Sequence, residues 1–467
     1  MNVNVSANLS AGVGVLLLAT ALAAPAAALP AFPTPYPDDP RCGAFGYSWS
    51  EPMPRIPVAR PVIQDLTPTG DLAGPTAVVA HTLSDALDLS GVFWILPADA
   101  GPADTFVVWN SPNSFDYIGW RDAGAWLVLV GEVSPAAGGV RVRLDAYLTE
   151  EGDRLSLGGA EAVVEPARLP TFANRYVNAL LQCITGLPGA FGTRIAYARR
   201  PQAGAPKEIW TVEFGSQAQV QVSHDGQVAM LPAWAPGGGV AWTGYARGNP
   251  EVFAWPCEAC GARLGEAGVF SARRGQNSGV AFSPDGRLAA LTLAPDGNPD
   301  VWLVDGRTGA DVARLTTGPG IDTSPSWSPD GRRIAFVSDR DGGPQVWVMD
   351  ADGKNQRSLP LPGGYNTSPD WSPSGNEVAY QSRGEGGRFS IWAYDFATGG
   401  VRRLTSGNWD DEEPSWSPDG RTIAFTSTRR GAKLLFVMSR DGSGARPVFD
   451  GGGDYFTPAW ERQFRAR

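Results

Sequence analysis

Hydrophobic positions along this chain fall into two regimes. From about residue 194 to the end, apolar residues come in short runs, each closed by Gly, Pro, Asp or Ser. Runs of that kind predict strands joined by tight turns. Arg333-Ile334-Ala335-Phe336-Val337 reads as one strand, Asp341-Gly342-Gly343-Pro344 turns the chain, and Gln345-Val346-Trp347-Val348-Met349-Asp350 reads as the next. Asp352-Gly353 then leads into a polar outer strand through Arg357-Ser358-Leu359.

Between residues 55 and 190 the period changes. Val78, Val79, Leu83, Ala86 and Leu87 recur at helical spacing within Pro75 to Ser90, and Gly91 is placed to end that helix. Val92-Phe93-Trp94-Ile95-Leu96 reads as a strand and Trp126-Leu127-Val128-Leu129-Val130-Gly131 as a buried one. Val140-Arg141-Val142-Arg143-Leu144 alternates as a half-exposed strand. Thr171 to Ile184 predicts a second helix carrying Phe172, Tyr176, Val177, Leu180 and Leu181. Together these elements predict a small N-terminal α/β domain.

The C-terminal runs repeat. Trp327-Ser328-Pro329-Asp330-Gly331 recurs as Phe282-Ser283-Pro284-Asp285-Gly286, Trp371-Ser372-Pro373-Ser374-Gly375 and Trp416-Ser417-Pro418-Asp419-Gly420, with the aromatic anchors 45, 44 and 45 residues apart. Trp234-Ala235-Pro236-Gly237, 48 residues before Phe282, and Trp460, 44 residues after Trp416, are weaker copies. In the shared turn Pro presets φ, Asp bonds the local backbone and Gly accepts positive φ. Each unit holds four short strands, which cannot bury both faces alone; radial stacking does so, and the product is a β-propeller. Only seven residues follow Trp460. The strands missing from its blade appear at the start of the domain, where Arg194-Ile195-Ala196-Tyr197-Ala198 matches Arg333 to Val337, Glu208-Ile209-Trp210-Thr211-Val212 matches the third strand, and Ala218 to Ser223 supplies the fourth. The expected fold is therefore multidomain: an α/β domain over residues 55–190, then an all-β six-bladed propeller over 194–467 whose last blade is composite. The anchor aromatics are read as core and the turn aspartates as turn residues.

Composition sharpens this picture. The 58 Gly and 40 Pro favour short strands over long helices, and the 17 Trp suit half-buried strand positions. A net charge of -10, with no long run of Lys or Arg, argues against a nucleic-acid partner. Val13 to Ala28 is apolar and ends in Ala26-Ala27-Ala28, an A-x-A cleavage site, while Pro25 and Pro30 interrupt the stretch before it reaches membrane-spanning length. Residues 1–28 are expected to be a signal peptide, although no Lys or Arg precedes Arg41. Residues 29–54 are expected to be an irregular tail. In an exported protein, Cys257-x-x-Cys260 is expected to form a tight disulfide in a propeller loop, and a Cys42–Cys183 bond is left open. With only two histidines, His81 and His224, the cysteines lack the ligands for a zinc site, so no metal or other cofactor is expected.

An enzyme is not expected either. The chain carries no G-x-S-x-G nucleophile elbow, no P-loop and no dinucleotide fingerprint; His224 falls in a turn and His81 on the first helix. The expected activity is binding, at the loops around one end of the propeller channel. The segments entering each innermost strand are Gln276-Asn277-Ser278-Gly279, Asp322-Thr323-Ser324, Asn366-Thr367-Ser368, Asp411-Glu412-Glu413 and Tyr455-Phe456-Thr457. Of these, Gln276, Asn277, Gly279, Asp322, Thr323, Asn366, Thr367, Asp411 and Glu412 are the candidate partner-binding residues. As a ring they suit a partner's loop or a cation.

A family resemblance adds to this reading. Gly363 to Pro373 and Ile321 to Gly331 resemble the WD40-like (PD40) blades of the TolB family, periplasmic propeller proteins of the Tol–Pal system. Leu87-Asp88-Leu89-Ser90-Gly91-Val92-Phe93 is similar to the family's DLxxSGxF helix end, with Ala86 in place of its Asp. Thr185-Gly186-Leu187-Pro188-Gly189-Ala190-Phe191-Gly192-Thr193-Arg194-Ile195-Ala196-Tyr197 resembles the family's domain junction. Asn174 stands where the family usually has His, Ser374 replaces one turn Asp, and residues 31–54 do not show the short extended segment that engages TolA. The resemblance, which covers about residues 55–467, implies a non-enzymatic periplasmic protein. It would link inner-membrane Tol proteins to the outer-membrane lipoprotein Pal, bound at the propeller rim, for envelope integrity and cell division. It leaves TolA as a partner for the N-terminal region. The alternative is a propeller that binds another envelope protein or a glycan.

Overall fold

The computed structural model describes Cys42 and residues 55–67, 69–97, 99–101, 117–150, 152–157, 160–216, 218–255, 267–384, 386–449 and 451–464. The expected signal peptide, nearly all of the expected irregular tail and the Cys257-x-x-Cys260 motif with its expected disulfide lie outside these residues.

The N-terminal domain is a seven-stranded mixed sheet with helices. Its order runs Phe93–Ile95, Ile56–Val58, Leu127–Ala136, Gly139–Leu148, Arg154–Leu155; Val62–Asp65 also pairs with the third of these and Glu161–Val164 with the fourth. The apolar run after Trp126 is buried on both faces. Leu127, Leu129 and Val133 join the main core, while Val128 and Val130 face a second small core with Ala59, Leu96, Trp120 and Ala125. The next strand alternates: Val140, Val142 and Leu144 are buried and Arg141 is exposed. Helix α1 (Ala73–Leu89) buries Val79, Leu83, Ala86 and Leu87. Val78, expected on the same face, is instead 40 % exposed: it lies one residue before Val79, about 100° round the helix. Helix α2 (Tyr117–Asp122) is short, and α3 (Leu169–Thr185) is capped by Gly186 at φ 75°. The Cys42–Cys183 bond left open by the sequence is formed, with an S–S distance of 2.08 Å, and ties residue 42 to α3.

The propeller has six four-stranded sheets. Five are continuous in sequence. The sixth is composite: Asp454–Trp460 pairs antiparallel with Arg194–Arg200, setting Trp460 opposite Ile195, and Glu208–Glu213 and Gln219–Gln221 complete the blade. All six anchors (Trp234, Phe282, Trp327, Trp371, Trp416 and Trp460) are buried. The turns after them follow one mechanism. The Ser283, Ser328 and Ser417 hydroxyls donate to the Asp285, Asp330 and Asp419 carboxylates at 2.7, 2.6 and 2.5 Å. Ser374 serves in place of Asp, 2.9 Å from Ser372. Adjacent blades are stitched through the anchors: the Trp371, Trp416 and Trp460 amides donate to Ser326 Oγ at 3.0 Å, Asp370 Oδ2 at 2.8 Å and Ser415 Oγ at 2.9 Å.

The two domains share one core. Val177, Leu180 and Leu181 of α3 belong to the same buried cluster as Ile195, Val212, Phe214, Leu435, Val437 and Trp460 of the propeller. Polar contacts fix the junction. Arg421, which follows the Trp416 turn and is buried, donates to the carbonyls of Leu187 at 3.2 Å and Pro188 at 3.4 Å. Asn174 Nδ2 donates to the Gly215 carbonyl at 2.9 Å. Gly215 sits at φ 86°, and a Cβ there would come within 2.3 Å of the Asn174 amide, so only glycine fits. Arg446 reaches the Asp85 carbonyl at 2.6 Å and Asp88 at 3.2 Å. Thr422 and Ser439, which meet Leu89 and Arg55, lie at the same end of their blade. The N-terminal domain therefore packs at the end of the propeller that carries the Ser-Pro-Asp-Gly turns.

Candidate functional site: the propeller channel

All six innermost strands run in one direction, from a rim away from the N-terminal domain towards the Ser-Pro-Asp-Gly end. Near the rim each strand breaks its ladder at a bulge, where the register shifts between Met230/Ala233, Ser278/Ala281, Thr323/Ser326, Thr367/Asp370, Glu412/Ser415 and Phe456/Ala459. One residue of every bulge is left-handed: Leu231, Gly279, Ser324, Ser368, Glu413 and Thr457, with φ between 46° and 61°. That conformation costs a non-glycine residue about 1–3 kcal/mol, and the surrounding structure must impose it. Pro follows five of the six, and Pro disfavours the right-handed helical region for the residue before it. Hydrogen bonds hold the ring between blades. The Glu413 amide donates to Gln381 Oε1 at 2.7 Å, the Thr457 amide to Glu413 Oε2 at 2.7 Å, and the Leu231 amide to Thr457 Oγ1 at 3.2 Å.

This ring surrounds a central cavity of about 390 Å³ whose wall is mostly Ser, Thr, Pro and Ala, with Asp370, Glu413 and Arg462 as its charged groups. Gln276, Gly279 and Thr323, of the residues picked from sequence, line it. Thr367 is half-buried on its strand, and Glu412 pairs with Lys433 at 2.8 Å. The other four are buried at the starts of the inner strands, where they act as locks. Asp322 takes Arg340 at 2.7 Å, and Asp411 takes Arg429 at 3.0 Å and the Trp409 indole at 3.1 Å. Asn277 accepts from Ser271 Oγ at 2.7 Å and the Arg273 amide at 2.9 Å. Asn366 donates to Gln345 at 2.7 Å and the Pro362 carbonyl at 3.0 Å. Tyr455 is buried beside Tyr197 and Phe449.

Sequence reasoning missed a cationic cluster on the rim. Lys207 lies 3.8 Å from the centre of the Phe456 ring, with Lys433 at 5.2 Å and Arg200 at 5.4 Å. Burial holds the Lys207 ammonium below the usual lysine range, against the pull of Glu413. The cluster draws on three separate strands or loops, so no local motif announces it. His81 is exposed and pairs with Asp85 at 3.2 Å. Among the described residues no cluster of His, Cys, Asp or Glu has metal-binding geometry, and no helix is long and apolar enough to cross a membrane.

Comparison with known proteins follows the same architecture. The family model described as the TolB beta propeller domain (PD40) matches residues 181–464. The Tol-Pal system protein TolB of Anaeromyxobacter dehalogenans strain 2CP-C is 34% identical over 264 residues, 55% of this chain and 57% of that protein. The Tol-Pal system protein TolB of Desulfosudis oleivorans is 32% identical over 267 residues, 56% of this chain and 58% of that protein. The chain thus spans somewhat more than half the length of the curated relatives it matches. The crystal structure of TolB from Acinetobacter baumannii superimposes with a TM-score of 0.73 at 26% identity, covering 88% of this chain and 98% of that one.

Proposed function

Because this chain belongs to the TolB β-propeller family, we propose that it is a non-enzymatic, periplasmic protein-binding component of the Tol–Pal system, receiving the lipoprotein Pal at the open rim of its channel. In this role it links Pal to the inner-membrane Tol proteins, with the TolA contact assigned to the N-terminal region. One observation carries the proposal: the rim leads into a cavity of about 390 Å³, at the end of the propeller that the N-terminal domain leaves uncovered. That volume holds a few side chains of an inserted loop, not a folded domain. The contact surface is assigned to Gln276, Gly279 and Thr323 on the cavity wall and to Thr367 and Glu412 beside it. Asn277, Asp322, Asn366 and Asp411 are assigned the supporting role that their buried bonds suit. The cationic cluster around Phe456 adds a place for a partner carboxylate. The test is calorimetric titration of the full chain with the soluble domain of Pal. Binding is expected, weakened about tenfold or more when Gln276→Ala and Thr323→Arg are combined; a folded chain with no measurable affinity for Pal contradicts the proposal.

A further inference from the structure

Every other inner strand runs from its anchor into a turn: Ser-Pro-Asp-Gly or Ser-Pro-Ser-Gly in four blades, Ala-Pro-Gly after Trp234. Trp460 is followed instead by Glu461-Arg462-Gln463-Phe464. These residues do not turn back along the blade. The Glu461 amide donates to the Arg194 carbonyl at 2.8 Å, and its carboxylate holds the Arg194 guanidinium at 2.6 Å. That guanidinium also stacks on the Trp234 ring at 4.3 Å, which fixes where the tail leaves its strand.

The next three side chains diverge. Arg462 pairs with Asp370, two blades away, and lines the cavity. Gln463 lines a small cavity with Pro373, Ser374, Pro418 and Asp419, the turns of the two blades on that same side, and with Leu187, Pro188 and Gly189 of the interdomain junction. Phe464 points the other way. It packs against the clusters that contain Trp234 and Phe282, and lies 3.9 Å from where a Cβ on Gly286 would stand. Arg462 and Phe464, two residues apart, reach opposite walls, which places the backbone between them across the channel axis.

We propose that Glu461–Phe464 is a built-in plug that closes the channel at the N-terminal-domain end, latched by the Arg462–Asp370 ion pair and the Phe464 contact. The channel is then a blind cup with a guanidinium in its floor. A ligand enters it from the rim alone and cannot thread through, and a segment reaching the floor meets Arg462. Asp370 suits the latch because its carboxylate is already fixed by the Trp416 amide at 2.8 Å and is 13% exposed. The Arg462 side chain stays 38% exposed towards the cavity, so the pair is shielded on its Asp370 side alone. The plug stands on this geometry alone; that the entering segment belongs to Pal rests on the reading above.

The experiment uses the full chain without any partner. Trypsin cleaves after Arg462 in a free peptide of residues 454–467, and intact mass reports the same cut in the folded protein. The plug predicts cleavage there slower than in the peptide by roughly a hundredfold, because cleavage must wait for local opening. Asp370→Asn, which keeps an acceptor for the Trp416 amide, and Phe464→Ala should each speed it about tenfold. Cleavage of the unaltered chain at the peptide rate, or rates unchanged by both substitutions, would overturn the proposal. A protected tail in a chain that fails to bind Pal leaves the plug standing and the functional reading refuted.

Discussion

The residues that open each inner strand show how one polar side chain can suit two readings. Asp322, Asn366 and Asp411 recur at one position, and polar residues at a rim suit partner contact. Their surroundings give them a different task. Asp411 is 1% exposed and accepts two bonds from Arg429, one at each carboxylate oxygen, while Asp322 accepts from Arg340 in the equivalent place. Each arginine lies 18 residues after its aspartate, in a Ser-x-Arg sequence that the repeat makes visible. Spacing alone was the signal that could have found these pairs. Removing one partner of a buried pair leaves the other charge uncompensated, which costs more than the pair contributes. Asp411→Ala is therefore expected to lower stability by about 2–4 kcal/mol, read as a shift in the urea midpoint. Thr323→Ala, on the cavity wall, should shift it by less than about 1 kcal/mol. Equal effects would show that the aspartate is no lock. The left-handed ring was illegible for another reason. Ser-Pro, Glu-Pro and Thr-Pro before an anchor look like turn residues, and only the backbone shows that Ser324, Ser368, Glu413 and Thr457 sit within strands at positive φ.

At the scale of elements, the repeat was legible because its turns are specific. Ser, Pro, Asp and Gly each have a separate physical reason to be there, so the four strands between successive turns could be placed. The composite blade followed from counting: the strand of Trp460 pairs with the strand that opens at Arg194, as expected, and the structure adds the register, Trp460 opposite Ile195. In the N-terminal domain the strand after Trp126 extends to Ala136, well past the apolar run, because Ser134 and Pro135 pair across to Arg141 and Val140 despite their polarity and ring. A hydrophobic pattern cannot show cross-strand pairing of that sort. Deletion tests the closure. Removing residues 454–467 strips the inner strand from Arg194–Arg200 and exposes Tyr197, Val212 and Phe214, so the melting temperature should fall by on the order of 10 °C or more. Removing residues 461–467 alone keeps the strand pairing and should cost much less. A chain without residues 454–467 that melts like the full one would refute a ring closed by its last strand.

At the scale of the molecule, the two ends of the propeller are unequal. One end carries the N-terminal domain, a shared apolar core and the buried Arg421, and the C-terminal tail lies across its channel. The other end is a rim of left-handed residues around an open cavity. This asymmetry was not legible in the sequence, since nothing local to either domain says which end of the ring they share. It follows from Arg421, Thr422 and Arg446 meeting Leu187, Leu89 and Asp88, contacts separated by more than 230 residues. The asymmetry also gives the functional reading its sharpest form, because a partner that binds at the rim must lie far from the Ser-Pro-Asp-Gly turns. Photo-crosslinking to Pal from one site at each end tests this most directly. With a crosslinking residue at Thr323 the account predicts a covalent complex with Pal, and with one at Asp330 on the opposite end it predicts none. Crosslinking from Asp330 with none from Thr323 would contradict it.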